Sequence, residues 1–186
     1  DATGAVLRPC ILWNDGRSES ECAELERDWP ALRQVTGNIA MPGFTAPKLL
    51  WVRKHQPELF ARTAKVLLPK AYLRFRLSGE YAEDMSDASG TLWLDVGARR
   101  WSVAALQACG LRLDQMPRLV EGSEVAGQLS PALAARWGMR RPPLRRRPGG
   151  SSIARLSRTL ADLRARESVL QLAELAAHRL GRVAKL

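Results

Sequence analysis

The sequence changes character once, after Gly138-Met139, and that break decides which part of the chain can build a core. All six Trp (13, 29, 51, 93, 101 and 137) and every Phe and Tyr lie before residue 140. The first 139 residues carry 17 Lys+Arg and 16 Asp+Glu, a net of +1. The last 47 carry 12 Lys+Arg, eleven of them Arg, and three acids, a net of +9, giving +10 for the whole chain. Aromatic side chains bury the most apolar area per residue, and all of them lie in the balanced segment. A globule of about 150 residues buries roughly 68–70% of its extended-chain surface. The expectation is one domain over residues 1–139, followed by an Arg-rich tail over 140–186.

The 46% hydrophobic and 26% charged fractions are those of ordinary folded proteins. Uncharged apolar runs such as Val66-Leu67-Leu68-Pro69 fall far short of the ~20 residues of a membrane helix. Asp1 to Arg8 lacks the basic-then-apolar order of a secretory leader. Cys10, Cys22 and Cys109 have no metal-ligand spacing and suit reduced thiols. These features together predict a cytoplasmic protein without membrane association.

Hydrophobic periodicity and turn chemistry predict the elements. Val6 to Trp13, with Cys10–Trp13 at its centre, reads as a buried strand ended by Asn14-Asp15-Gly16. Ser18 and Glu21 have capping-box spacing, and Cys22, Leu25 and Trp29 give the helix that follows one apolar face, stopped by Pro30. After a Gly/Pro-rich loop (Thr36-Gly37-Asn38, Met41-Pro42-Gly43-Phe44), Thr45 is placed to cap a helix from about Pro47 to His55. Lys65–Leu68 reads as a second strand and Lys70–Leu77 as a helix ended by Ser78-Gly79, with a polar turn region over Ala82–Thr91. Ser102 opens a helix closed by Gly110, and Ser130-Pro131 opens another ending at Trp137-Gly138. Strands alternating with helices point to an α/β or α+β domain.

Few constellations suggest chemistry. The two His, at 55 and 178, assemble no triad or metal cluster, and His55 at a helix C-terminus is a dipole partner. No Gly-rich phosphate loop is present. Asp84 and Asp87 could form a carboxylate pair, though their spacing before Ser89-Gly90 fits turn and cap duty better. The turn Trp13-Asn14-Asp15-Gly16-Arg17 follows a predicted strand, where α/β domains place ligands. Asn donates and accepts while Asp accepts only, which suits a hydroxyl-rich ligand. The plainer alternative is a turn and helix start with Arg17 paired to a nearby acid.

The loop Gly43-Phe44-Thr45-Ala46-Pro47-Lys48-Leu49-Leu50-Trp51-Val52 fits, position for position, the first signature of the FGGY carbohydrate kinases. Ile11 to Arg17, Thr36-Gly37-Asn38, Met41 to Trp51, Leu67 to Lys70, Ser86 to Asp95, Met116-Pro117 and Glu121 to Glu124 all resemble the xylulokinase branch of that family. The resemblance covers about residues 1–139. Ala71 departs from it, standing where the branch usually carries Asp after Pro-Lys.

That resemblance implies a partial ribonuclease-H-like domain of the actin and hexokinase type, the N-terminal domain of a sugar kinase. It implies ATP-dependent phosphorylation of D-xylulose, or a related ketose, to the 5-phosphate. ATP and Mg2+ follow from the family, but their binding residues are not expected in this chain. The phosphate-contacting Asp-Leu-Gly-Thr-Ser and Met-His-Gly motifs are expected upstream of Asp1. The Gly-Asp-Asn stretch with the catalytic Asp is replaced by Arg140 to Gly150. Trp13, Asn14, Asp15, Arg17, Gly43 and Phe44 are the candidate substrate-cleft residues, none of them catalytic. The isolated chain is expected to be inactive, since base, metal ligands and nucleotide site are expected outside it, and poorly soluble or partly ordered, since its first strand would lack a neighbour. The tail reads as the product of a shifted frame. The alternative is a non-enzymatic basic protein acting through that tail, where Ile153, Leu156, Leu160 and Leu163 keep helical spacing. Without aromatic residues for base stacking, nucleic-acid binding is not expected.

Overall fold

The computed structural model describes residues 1–139 and the backbone of 143–145. The expectations for the rest of the tail, including its helix from Ile153, lie outside the described residues. The chain runs through α1 (Glu19–Asp28), α2 (Leu32–Thr36), α3 (Thr45–His55), α4 (Pro57–Ala61), α5 (Pro69–Ser78), β1 (Ala82–Asp84) and α6 (Met85–Ser89). There follow β2 (Leu94–Asp95), β3 (Arg100–Trp101), α7 (Val103–Ala108), a 3₁₀ turn (Leu113–Gln115), β4 (Arg118–Val120), β5 (Val125–Gln128), α8 (Pro131–Arg136) and β6 (Pro143–Arg145). Among the described residues three two-stranded sheets form: β1 with β4, β2 with β3, and β5 with β6. No described helix is long and apolar enough to cross a membrane. The residues divide into two units, Asp1–Leu68 with Glu83–Leu119, and Pro69–Ala82 with Val120 onward.

The first unit holds the main core. Leu25 of α1, Leu32 of α2, Ala46 and Leu50 of α3, and Ala105 and Leu106 of α7 enclose Leu92, Trp93 and Trp101. Both buried indoles satisfy their polar tips, as buried Trp requires. Trp93 Nε1 donates to Cys109 Sγ at 3.3 Å and Trp101 Nε1 to the Pro117 carbonyl at 2.8 Å. In β2 and β3, Leu94 faces Trp101 and Asp95 faces Arg100, antiparallel. Thr91 Oγ1 donates to the Ala88 carbonyl and accepts from the Trp93 amide, holding Leu92 at a φ of 64°.

The second unit packs a smaller cluster, Ala82, Val120 and Ala126. Arg74 of α5 donates to the Ala82 carbonyl at 2.7 Å, and Ala71 is wholly buried. β5 and β6 are antiparallel, with Val125 opposite Arg145 and Gln128 opposite Pro143, and an irregularity between Val125 and Gly127. β6 therefore extends regular structure a few residues past the composition break.

Neither predicted early strand forms. Residues 5–12 and 65–68 are irregular. A strand is defined by the neighbour that takes its hydrogen bonds, and among the described residues no strand pairs with either segment. Of the first run only Ile11 is buried, while Val6 and Leu12 are exposed. Instead Arg8 Nε donates to Gln56 Oε1 at 2.8 Å.

The Ser18–Glu21 capping box does not form either. Ser18 sits at the N-cap of α1 without a side-chain cap bond, and Glu21 accepts from Lys54 at 3.1 Å. Thr45 lies inside α3 rather than capping it. The structure adds the short helices α2 and α4, and places β1 and α6 in the predicted polar turn region. α5 and α7, with Ser102 as cap and Gly110 at φ 72°, follow the prediction. So does α8, capped by Ser130.

Candidate functional site

Two loops of the first unit meet here, one before α1 and one before α3. In the first, the Asp15 amide donates to the Leu12 carbonyl at 3.2 Å, closing a turn that carries Trp13 and Asn14 at its tip. Asp15 Oδ1 accepts from the Arg17 backbone N–H at 3.0 Å, and the Arg17 guanidinium donates to both carboxylate oxygens, Nε at 2.9 Å and Nη2 at 2.7 Å. This fork matches carboxylate geometry better than a lysine could. The Arg17 guanidinium also lies 4.9 Å from the Trp51 ring centroid, and Trp51 stacks on His55 at 4.7 Å. Asp15, Arg17, Trp51 and His55 thus form one line of contacts from the loop along α3. His55 closes α3 as expected, at the end where a cation complements the dipole.

The second loop turns at Met41–Phe44, where the Phe44 amide donates to the Met41 carbonyl at 3.0 Å. Phe44 packs against the main core. Gly43 approaches the first loop so closely that a Cβ there would sit 3.1 Å from the Trp13 carbonyl oxygen. Trp13 itself is 79% exposed, the most exposed large apolar residue described, and Asn14 is exposed beside it.

The electrostatics follow the contacts. The Arg17 side chain and backbone N–H hold the Asp15 carboxyl below the usual carboxylate range, and Asp15 in turn raises Arg17. Burial pushes the Lys48 amine down, with Cys10 and Asp15 opposing that shift. Lys48 Nζ donates to the Gly43 carbonyl at 2.8 Å.

The structure brings all six candidate residues into two adjoining loops. It engages Asp15 and Arg17 with each other, as the plainer sequence alternative had it. Trp13, Asn14 and the Gly43 backbone form the open part. Lys48 and Trp51 were not among the candidates, although both stand in the same signature run. Lys48 lies five residues after the carbonyl it binds, a spacing that the helix pattern does not reveal.

Among the described residues, Glu83, Asp84 and Asp87 bring carboxylate oxygens within 4.8 Å. Glu83 and Asp84 are 1% exposed, and Asp84 accepts from the Asp87 amide at 3.3 Å as the N-cap of α6. Such enclosed carboxylates do not fit Mg-ATP, which keeps waters and substrate phosphates around the metal.

The family model of the FGGY family of carbohydrate kinases, N-terminal domain, matches residues 1–144. The chain is 60% identical over 144 residues to the xylulose kinase of Escherichia coli (strain K12), covering 77% of this chain and 30% of that protein. It is 43% identical over 140 residues to the xylulose kinase of Bacillus subtilis (strain 168), covering 75% and 28%. Among solved structures, a xyloylose kinase from Brucella ovis superposes with a TM-score of 0.73 at 61% identity, over 75% of this chain and 29% of that one. The chain thus spans about 30% of the length of the curated relatives it matches. Its described α/β structure is part of the actin- and hexokinase-like fold of these sugar kinases. On sequence and structure alike, the chain belongs to the FGGY family of carbohydrate kinases, with residues 1–144 matching its N-terminal domain.

Proposed function

We propose that this chain supplies the sugar-side surface of an ATP-dependent xylulose kinase that moves the γ-phosphoryl group of ATP to a hydroxyl of D-xylulose, in the cytoplasm and without nucleic acid. The observation that carries the reading is the 60% identity to the Escherichia coli xylulose kinase across 144 residues, together with the family match over residues 1–144, which takes in both loops. Trp13 offers an exposed apolar face to the C–H side of a ketose. Asn14 gives a donor and an acceptor to its hydroxyls, and Gly43, lacking a side chain, lets the Trp13 turn close against its backbone. Asp15 and Arg17 set the turn, and Phe44 anchors the second loop in the core. The proton-accepting carboxylate and the Mg-ATP groups belong to parts of the kinase that this chain does not span, so no catalytic step is assigned to its residues. Phosphoryl transfer depends on positioning, and positioning is the contribution of this surface.

A chimera tests the reading. Residues 1–144 replace the matching segment of the Escherichia coli enzyme, and ATP-dependent D-xylulose phosphorylation is measured. The expected result is an active chimera whose KM for D-xylulose rises about tenfold on Trp13→Ala, with KM for ATP unchanged. A folded chimera that phosphorylates other sugars but not xylulose would overturn it.

A further inference from the structure

Lys48 is 8% exposed, in the first turns of α3. Both facts count against it there. Burying an ammonium costs solvation that one hydrogen bond to a neutral carbonyl recovers only in part. A cation near a helix N-terminus also opposes the macrodipole, and α3 has no acid in its first turn to offset it. The gain lies outside the helix, in the 2.8 Å bond to the Gly43 carbonyl. Gly43 in turn is the residue that abuts the Trp13 carbonyl. The other end of the same loop is tied as well. Glu26 Oε1 accepts from the Ala40 amide at 2.8 Å, and Glu26 Oε2 accepts from Arg33 Nε at 2.9 Å.

We propose that Lys48 is a positioning residue: its ammonium holds the Gly43 carbonyl so that the Gly43 backbone props the Trp13 turn in the orientation that meets the ketose. This rests on the sugar-side reading given above. Lys48 touches no substrate in this scheme and acts through Gly43. Glu26 fixes the loop's entry and Lys48 its exit, so the loop presents one backbone conformation to the turn.

The test uses the 186-residue chain, isotope-labelled, as wild type, Lys48→Met and Lys48→Arg. Amide hydrogen exchange reads the loop. In Lys48→Met the Phe44 amide should exchange about 10- to 100-fold faster, the range for losing a charged hydrogen bond, while the core Trp93 amide stays protected. Lys48→Arg, which keeps a donor, should restore part of the protection. Wild-type exchange at Phe44 in a folded Lys48→Met overturns the proposal. Should Lys48→Met lose Trp93 protection as well, the wild-type Lys48 Nζ signal decides. Slowed exchange of its ammonium protons supports the bond, and exchange as fast as free lysine overturns it.

D-Xylulose titration separates the two readings. Shifts at the Trp13 indole and Asn14 in wild type, weakened about tenfold in Lys48→Met, support both. No wild-type shift in these loops removes the sugar-side reading and with it the role toward ketose, whereas the exchange measurement still reports whether the lysine holds the loop. Wild-type affinity in Lys48→Met, with Trp13→Ala weakened, leaves the site standing and overturns the role of Lys48.

Discussion

Asp15 and Arg17 are partly exposed, with side chains 26% and 39% accessible, so their fork organises the turn more than it stabilises the fold. Its pH dependence has a definite sign. Asp15 titrates lower folded than unfolded, so its contribution is complete above the ordinary aspartate value of about 4 and is lost as pH falls through the folded one. The melting-temperature gap between wild type and Asp15→Asn should therefore be constant above about pH 5 and close in more acid buffer. A gap that widens in acid would contradict the pairing. The adjoining loops that carry the six candidate residues were marked in the sequence by turn chemistry and by the signature run. Lys48 was not, because sequence shows a lysine on a helix but not the carbonyl that its burial serves. In the core, Leu32→Ala should cost about 2–5 kcal/mol in denaturant unfolding, since Leu32 is fully buried.

The helices divide by how their ends are closed. Ser102 accepts from the Ala105 amide at 3.2 Å and Ser130 from the Leu133 amide at 3.4 Å, whereas Ser18 makes no such bond. Ser102→Ala should cost about 1 kcal/mol in denaturant unfolding, and loss of a cap bond should account for none of the effect of Ser18→Ala. Equal cap-type losses at both positions would refute this difference. α5, α7 and α8 were readable because Pro, Ser and Gly punctuate them locally. The predicted strands at Val6–Trp13 and Lys65–Leu68 failed because pairing is a long-range property. An apolar run states willingness to be a strand, and only a neighbour makes it one. The short α2 and α4, five residues each, fall below the length at which periodicity gives a signal.

The composition break at residue 139 falls close to residue 144, where the family match ends. The 186-residue chain by itself should show no ATP-dependent phosphorylation of D-xylulose above a buffer control, since the groups for nucleotide and base are assigned elsewhere. Measurable turnover by the purified chain would refute that assignment. The placement of the tryptophans has an optical consequence. Trp93 and Trp101 are enclosed in the core, and Trp29, Trp51 and Trp137 are half-buried, whereas Trp13 stands 79% in solvent. Red-shifted emission should therefore come mainly from Trp13, and iodide should quench that component first. The turn carries its own fluorophore, and loss of iodide access on adding a ketose would register occupancy without any label.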